Sequence, residues 1–194
     1  APGSHDMARE HKVLSRVGDA YTRAPKSLYF TDDTSVIGAP FIVTEYRTGA
    51  VMHFAVADSM ASVPDARRRI SLALVDAAAD LHLVDVGGVG LDDLGKPDGY
   101  ATRQVRGWHD RWKRVAPPDD DGEMDRIAER LVATMPAPQR VAILHNDLKL
   151  DNCQFDHGDP DHVTSVFDWD MATLGDPLFD LGLLIMSMES ANPV

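Results

Sequence analysis

Three polar side chains between Leu144 and Asp170 have the types and spacing that magnesium-dependent phosphoryl transfer needs. The run LHNDLKLDNCQFDHGDPDHVTSVFDWD carries Asp147 and Asn152 five positions apart, and Asp168 twenty-one positions after Asp147. Apolar residues precede the pair (Val141, Ile143, Leu144) and follow it (Cys153, Phe155), which predicts strand, tight loop, strand. A second apolar run, Val163 to Phe167, delivers Asp168 at its end. The turn-rich DHGDPDH between the two runs makes a hairpin, so its outer ends return to one another. A carboxylate from Asp168 and an amide oxygen from Asn152 then form a hard-oxygen site suited to magnesium with substrate phosphates. Asp147 remains to orient a hydroxyl and accept its proton. A turn-capping aspartate is the ordinary use of such a residue, but Asn152 and Asp168 beside it make that the minority reading.

The neighbouring polar residues read as support. His145 is expected to brace the loop rather than to exchange protons. Asp151 and Asp170 either tune the metal site or face solvent. Asp176 followed by Pro177 is a helix start, an N-cap with proline at the first helical position. The segment 156–162 packs three Asp and two His into seven residues. It lacks the calcium-loop spacing, and Gly158 and Pro160 mark a solvated turn.

The elements that must position these residues are legible from apolar periodicity. Ser4 to Val17 reads as a helix with Ser4 as N-cap, Gly18 as stop, and Met7, Leu14 and Val17 on one face. Glu10 falls on that same face. Strands are expected over Lys26 to Thr31 and Phe41 to Tyr46, the second running into the glycine turn Arg47-Thr48-Gly49. Ser62-Val63-Pro64-Asp65 resembles a capping box, and Ile70, Leu74, Ala77, Leu81 and Val84 then recur at helical spacing. His82 in this helix has no partner at metal-ligand spacing, which favours a packed or capping histidine. Gly87-Gly88 ends the segment, and VGGVG lacks a phosphate-loop pattern. Gly99 to Val115 is a basic helix in which Trp108 and Trp112, four apart, share a face and are expected to pack on the domain. Met124 to Met135 is a further amphipathic helix, and Leu178 to Met188 an apolar one.

Bulk properties narrow the function classes. At 194 residues and 44% hydrophobic content the chain can bury a substantial core. A formal charge of −12 argues against nucleic acid or an anionic membrane as partner. The single Cys153 cannot form an internal disulfide, no apolar run reaches membrane-spanning length, and no signal-peptide pattern opens the chain. A cytoplasmic location follows as the expectation.

Taken together, HNDLKLDN and FDWDMATLGDPLFDLGLL resemble the aminoglycoside-phosphotransferase-like (choline/aminoglycoside kinase-type) family, most closely the branch found beside or fused to acyl-CoA dehydrogenases. REHKVL, SVIGAPFIVTEY, AADLHLVDV and GYATRQVRGWHDRW extend the resemblance over nearly the whole chain. It implies a protein-kinase-like two-lobe α+β fold: residues 1–48 are an incomplete small lobe, and 49–194 a mostly helical large lobe with the catalytic hairpin. ATP and Mg2+ are the implied cofactors, and the implied acceptor is a small-molecule hydroxyl, either hydroxyacyl-CoA-type or aminoglycoside-like. Association with an acyl-CoA dehydrogenase is a further implication. By the same resemblance Glu10 takes the place of the helix glutamate that pairs with a phosphate-binding lysine. Backbone groups of Thr44, Glu45 and Tyr46 meet adenine, Lys149 neutralises the transferring phosphoryl, and Asp180 or Asp176 braces the loop. The glycine-rich loop and lysine belong before Ala1 and the last helices after Val194. The chain is therefore expected to be an internal piece, inactive by itself. A catalytically silent nucleotide-binding or docking module, and a magnesium-dependent hydrolase, are the competing readings.

Overall fold

The computed structural model describes residues 6–53 and 55–190. Ser4 lies outside the described residues, and the N-cap is Asp6, whose carboxylate accepts from the Arg9 amide at 3.0 Å. Helix α1 (Met7–Val17) ends at Gly18 and buries Val13, Leu14 and Val17. Strands β1 (Ser27–Thr31) and β2 (Phe41–Thr44) form an antiparallel pair against it. His11 ties helix to strand by bonding Ser27 Oγ at 2.8 Å and stacking on Phe30.

Helix α2 (Ala66–His82) carries the expected stripe: Ile70, Leu74, Ala77 and Leu81 are buried, with Val84 just beyond. The capping box does not form. Asp65 occupies the N-cap position in a left-handed conformation (φ 54°) with no side-chain cap, so the chain enters α2 through a turn rather than through Ser62. The helix also stops short of Gly87.

Helices α3 (Tyr100–Val115) and α4 (Glu123–Ala133) pair with one another. No residue of α3 is fully buried, and the expectation that its tryptophans pack on the domain is corrected for Trp108. Trp108 is 62% exposed, with the Arg111 guanidinium stacked 4.5 Å from its ring centroid. Trp112, four positions on, is half-buried with its indole nitrogen covered, so the two rings do not share one environment.

The segment from residue 142 to 175 is built on two small antiparallel sheets. Strand β3 (Ala50–Val51) pairs with β5 (Cys153–Phe155), and β5 with β6 (Val163–Val166), giving the order β3-β5-β6. Strand β4 (Ala142–Leu144) pairs with β7 (Thr173–Gly175). Strands β3 and β7 are too short for periodicity to reveal. Helix α5 (Leu178–Ser190) follows, its start capped by Asp176, which accepts from the Leu178 amide at 2.9 Å. One hydrophobic core unites Val13, Leu14 and Tyr21 with α2, the β5–β6 hairpin, Trp169 and Leu184. Among the described residues no helix is long and apolar enough to cross a membrane.

Candidate active site

The loop after β4 is held from beneath by one buried carboxylate. Ala142, Ile143 and Leu144 are fully buried, so β4 delivers the chain to the loop from a rigid base. Asp180, 0% exposed in the first turn of α5, then accepts from the His145 amide (2.8 Å), the Asn146 amide (2.8 Å) and His82 Nε2 (2.9 Å). Of the two aspartates expected as braces, Asp180 holds the 145–152 loop. Asp176 caps α5 and accepts from the Gln139 amide at 2.7 Å.

His145 is fully buried, its ring edge-on to Trp169. Its Nδ1 accepts from the Asp147 amide at 3.3 Å, which leaves the proton on Nε2 to be donated to the Phe167 carbonyl at 2.9 Å. Burial pushes its pKa below the usual imidazole range, so the ring stays neutral and serves as the expected brace. Asn146 adopts φ 63°, a left-handed conformation that Asn tolerates better than most residues. Its side chain accepts from the Tyr100 hydroxyl (3.0 Å) and donates to the Met171 carbonyl (3.0 Å).

Asp147, Lys149 and Asn152 form one hydrogen-bonded unit. Lys149 Nζ donates to Asp147 Oδ1 at 3.0 Å and Oδ2 at 2.8 Å. Asn152 Nδ2 donates to Asp147 Oδ2 at 2.8 Å and to its carbonyl at 2.9 Å. Both oxygens of Asp147, the residue expected to orient a hydroxyl and accept its proton, are occupied here. The Asp147 hydrogen bond holds the Lys149 pKa above its usual value and keeps the ammonium charged.

Asp168 reaches this unit as the hairpin argument requires. The Phe167 amide donates to the Asn152 carbonyl at 2.8 Å, clamping the two outer ends of the hairpin, and Asp168 follows at φ 68°. Burial, then the neighbouring Asp170 and Asp147 carboxylates, raise its pKa. A pocket in which carboxylates repel one another is one that a cation relieves. Asn152 spends its amide nitrogen on Asp147, and its own Oδ1 remains as an acceptor. Among the described residues no group of three or more His, Cys, Asp or Glu is arranged to hold a metal alone. Two hard-oxygen ligands completed by phosphates and water suit Mg2+, and the residues present fit it.

The remaining candidates are more scattered. Glu10 is half-buried in α1. Thr44 closes β2 opposite Ser27. The Glu45 amide donates to the Lys26 carbonyl at 2.8 Å, and its carboxylate pairs with Arg47 at 3.0 Å, so that amide is spent within the hairpin. Tyr46 is 88% exposed. A cavity of about 370 Å³ lies between the start of α1 and the β1–β2 turn, lined by Met7, Phe30 and Asp32 among others. Sequence reasoning missed the bond from Tyr100 to the loop residue Asn146 and the bond from His82 to Asp180, which holds the loop. Each joins residues far apart in the chain, and no local pattern announces such a bond.

The chain resembles known proteins over nearly its whole length. The model of the phosphotransferase enzyme family matches residues 1–193. Mouse acyl-CoA dehydrogenase family member 10 is 32% identical over 195 residues, covering 100% of this chain and 18% of that protein. Acyl-CoA dehydrogenase family member 11 of Gallus gallus is 32% identical over 181 residues, covering 93% and 23%. The chain thus spans about a fifth of these relatives' length. Among solved structures, a Ralstonia eutropha protein described as a candidate aminoglycoside phosphotransferase superposes with a TM-score of 0.80 at 30% identity, covering 99% of this chain and 57% of that one. The ternary complex of APH(4)-Ia with ADP and hygromycin B gives 0.69 at 13% identity, covering 95% and 64%, a likeness of fold alone. The protein-kinase-like α+β class expected from the sequence is the class found.

Proposed function

Because the chain belongs to the phosphotransferase enzyme family, we propose that it carries out ATP- and Mg2+-dependent transfer of the γ-phosphoryl group to a hydroxyl of a small molecule. The observation that carries this reading is the Asp147–Lys149–Asn152 unit clamped to the Asp168 segment through the Phe167 amide. In the transfer, the acceptor oxygen bonds to the γ-phosphorus as the β,γ-bridging bond breaks. The hydroxyl proton passes to Asp147, and the nucleoside diphosphate leaves. Asn152 and Asp168 would hold Mg2+, which neutralises charge on the phosphates when bound. Lys149 is assigned to neutralise the transferring group. Glu10 and the backbone of Thr44, Glu45 and Tyr46 are assigned to the nucleotide side, with the Glu45 amide excluded by its bond to Lys26. Division of the chain near residue 48 into a small and a large lobe belongs to the same proposal.

The acyl-CoA dehydrogenase relatives favour a hydroxyacyl-CoA-type acceptor, and association with such a dehydrogenase, over an aminoglycoside. The test is ATP consumption by the protein at its full natural length against a panel of both acceptor types. Acceptor-dependent consumption is expected, and Asp147→Ala should reduce it about 100- to 10,000-fold without weakening nucleotide binding. Normal turnover in that variant would overturn the assignment. ATP cleavage without acceptor would point to a hydrolase, and binding without consumption to a silent module.

A further inference from the structure

The ion pair inside the candidate site has a consequence for the order in which substrates can bind. A carboxylate offers about four acceptor positions. Lys149 takes one on each oxygen of Asp147, and Asn152 takes a second on Oδ2. A base so engaged has little room to receive an acceptor hydroxyl. The Asn152 contact is backed by a second bond to the Asp147 carbonyl and by the strand that follows it. The Lys149 contact has no such backing: its ammonium sits on a flexible four-carbon stem, and its side chain is 38% exposed. It is therefore the partner that can leave.

We propose that Lys149 is a nucleotide-operated latch, resting on Asp147 while the site is empty and moving to the γ-phosphate of an arriving nucleotide, so that the base is bared only when the phosphoryl donor is in place. This rests on the phosphotransferase reading and adds a compulsory order to it, nucleotide before acceptor. A terminal phosphate carries more charge than a single carboxylate, so it competes well for the ammonium. No bond is made or broken in the exchange. The ammonium trades one anionic partner for another, and the transfer step is balanced as above.

The latch can be tested by binding alone, without an identified acceptor. Calorimetry on the protein at its full natural length would compare Mg·AMP-PNP, which carries a third phosphate, with Mg·ADP, which does not. If Lys149 must abandon Asp147 to hold the terminal phosphate, Asp147→Asn removes the competitor. Mg·AMP-PNP should then bind about two- to five-fold more tightly, the range expected for releasing a partly exposed ion pair. Mg·ADP should bind as before. In a Lys149→Met background, with Lys149→Gln as a second version, the effect of Asp147→Asn should vanish. An equal gain for both nucleotides, a gain that persists without Lys149, or no gain at all would each overturn the latch. Failure of the unsubstituted protein to bind either nucleotide would instead overturn the phosphotransferase reading.

Discussion

At the scale of single residues, the site depends most on a carboxylate that does not face it. Asp180 satisfies two consecutive backbone amides of the 145–152 loop and one histidine on α2. Replacing it by alanine leaves the His145 and Asn146 amides buried or half-buried without an acceptor, and His82 without its partner. Each unsatisfied buried donor costs about 1–3 kcal/mol. Asp180→Ala should therefore lose about 2–5 kcal/mol of stability in urea unfolding. A loss under about 1 kcal/mol would mean that water takes over these bonds. Cys153 illustrates the opposite limit: burial pushes its thiol up to about 12, which makes it a packed core residue and an unreactive thiol. Lys149 and Asp147 were both legible from the string HNDLKLDN. Their direct pairing was not, since two residues at that spacing can point anywhere in an irregular loop.

Between elements, the α3–α4 pair relies on polar contacts more than on burial. His109 on α3 hydrogen-bonds Asp125 on α4, and Lys113 adds an ion pair at 3.6 Å. The His109 bond holds the Asp125 carboxyl below its usual pKa. Because the folded-state value lies below the unfolded one, the stabilisation is present above about pH 4 and is lost as acid carries the pH down through the folded value. Asp125→Asn should flatten the pH dependence of the unfolding midpoint between about pH 5 and pH 2. An unchanged acid profile would show that the contact adds nothing to stability. The helices themselves were readable from periodicity, as Ile70, Leu74, Ala77 and Leu81 on α2 attest. Their ends were less so. The N-cap of α2 depends on a left-handed Asp65 imposed by the preceding turn, and the exposure of Trp108 depends on what lies opposite α3.

For the molecule as a whole, net charge offers a way to separate acceptor classes. A field set by a formal charge of −12 draws in polycations and repels anionic CoA derivatives, and salt screens both effects. With a hydroxyacyl-CoA acceptor, KM should hold steady or fall as ionic strength rises from about 20 to 200 mM. A steep rise in KM would favour a cationic acceptor. The same scale shows where sequence reasoning ends. Residue types and spacing by themselves determined the helices, the β5–β6 hairpin and the candidacy of Asp147, Asn152 and Asp168. Those depend on local periodicity and on a turn that must bring two runs together. Only the tertiary structure decided that β7 backs β4, that Asp180 anchors the loop with His82 behind it, and that Tyr100 reaches Asn146. These bonds join residues tens of positions apart, and their energy exists only once the chain has packed.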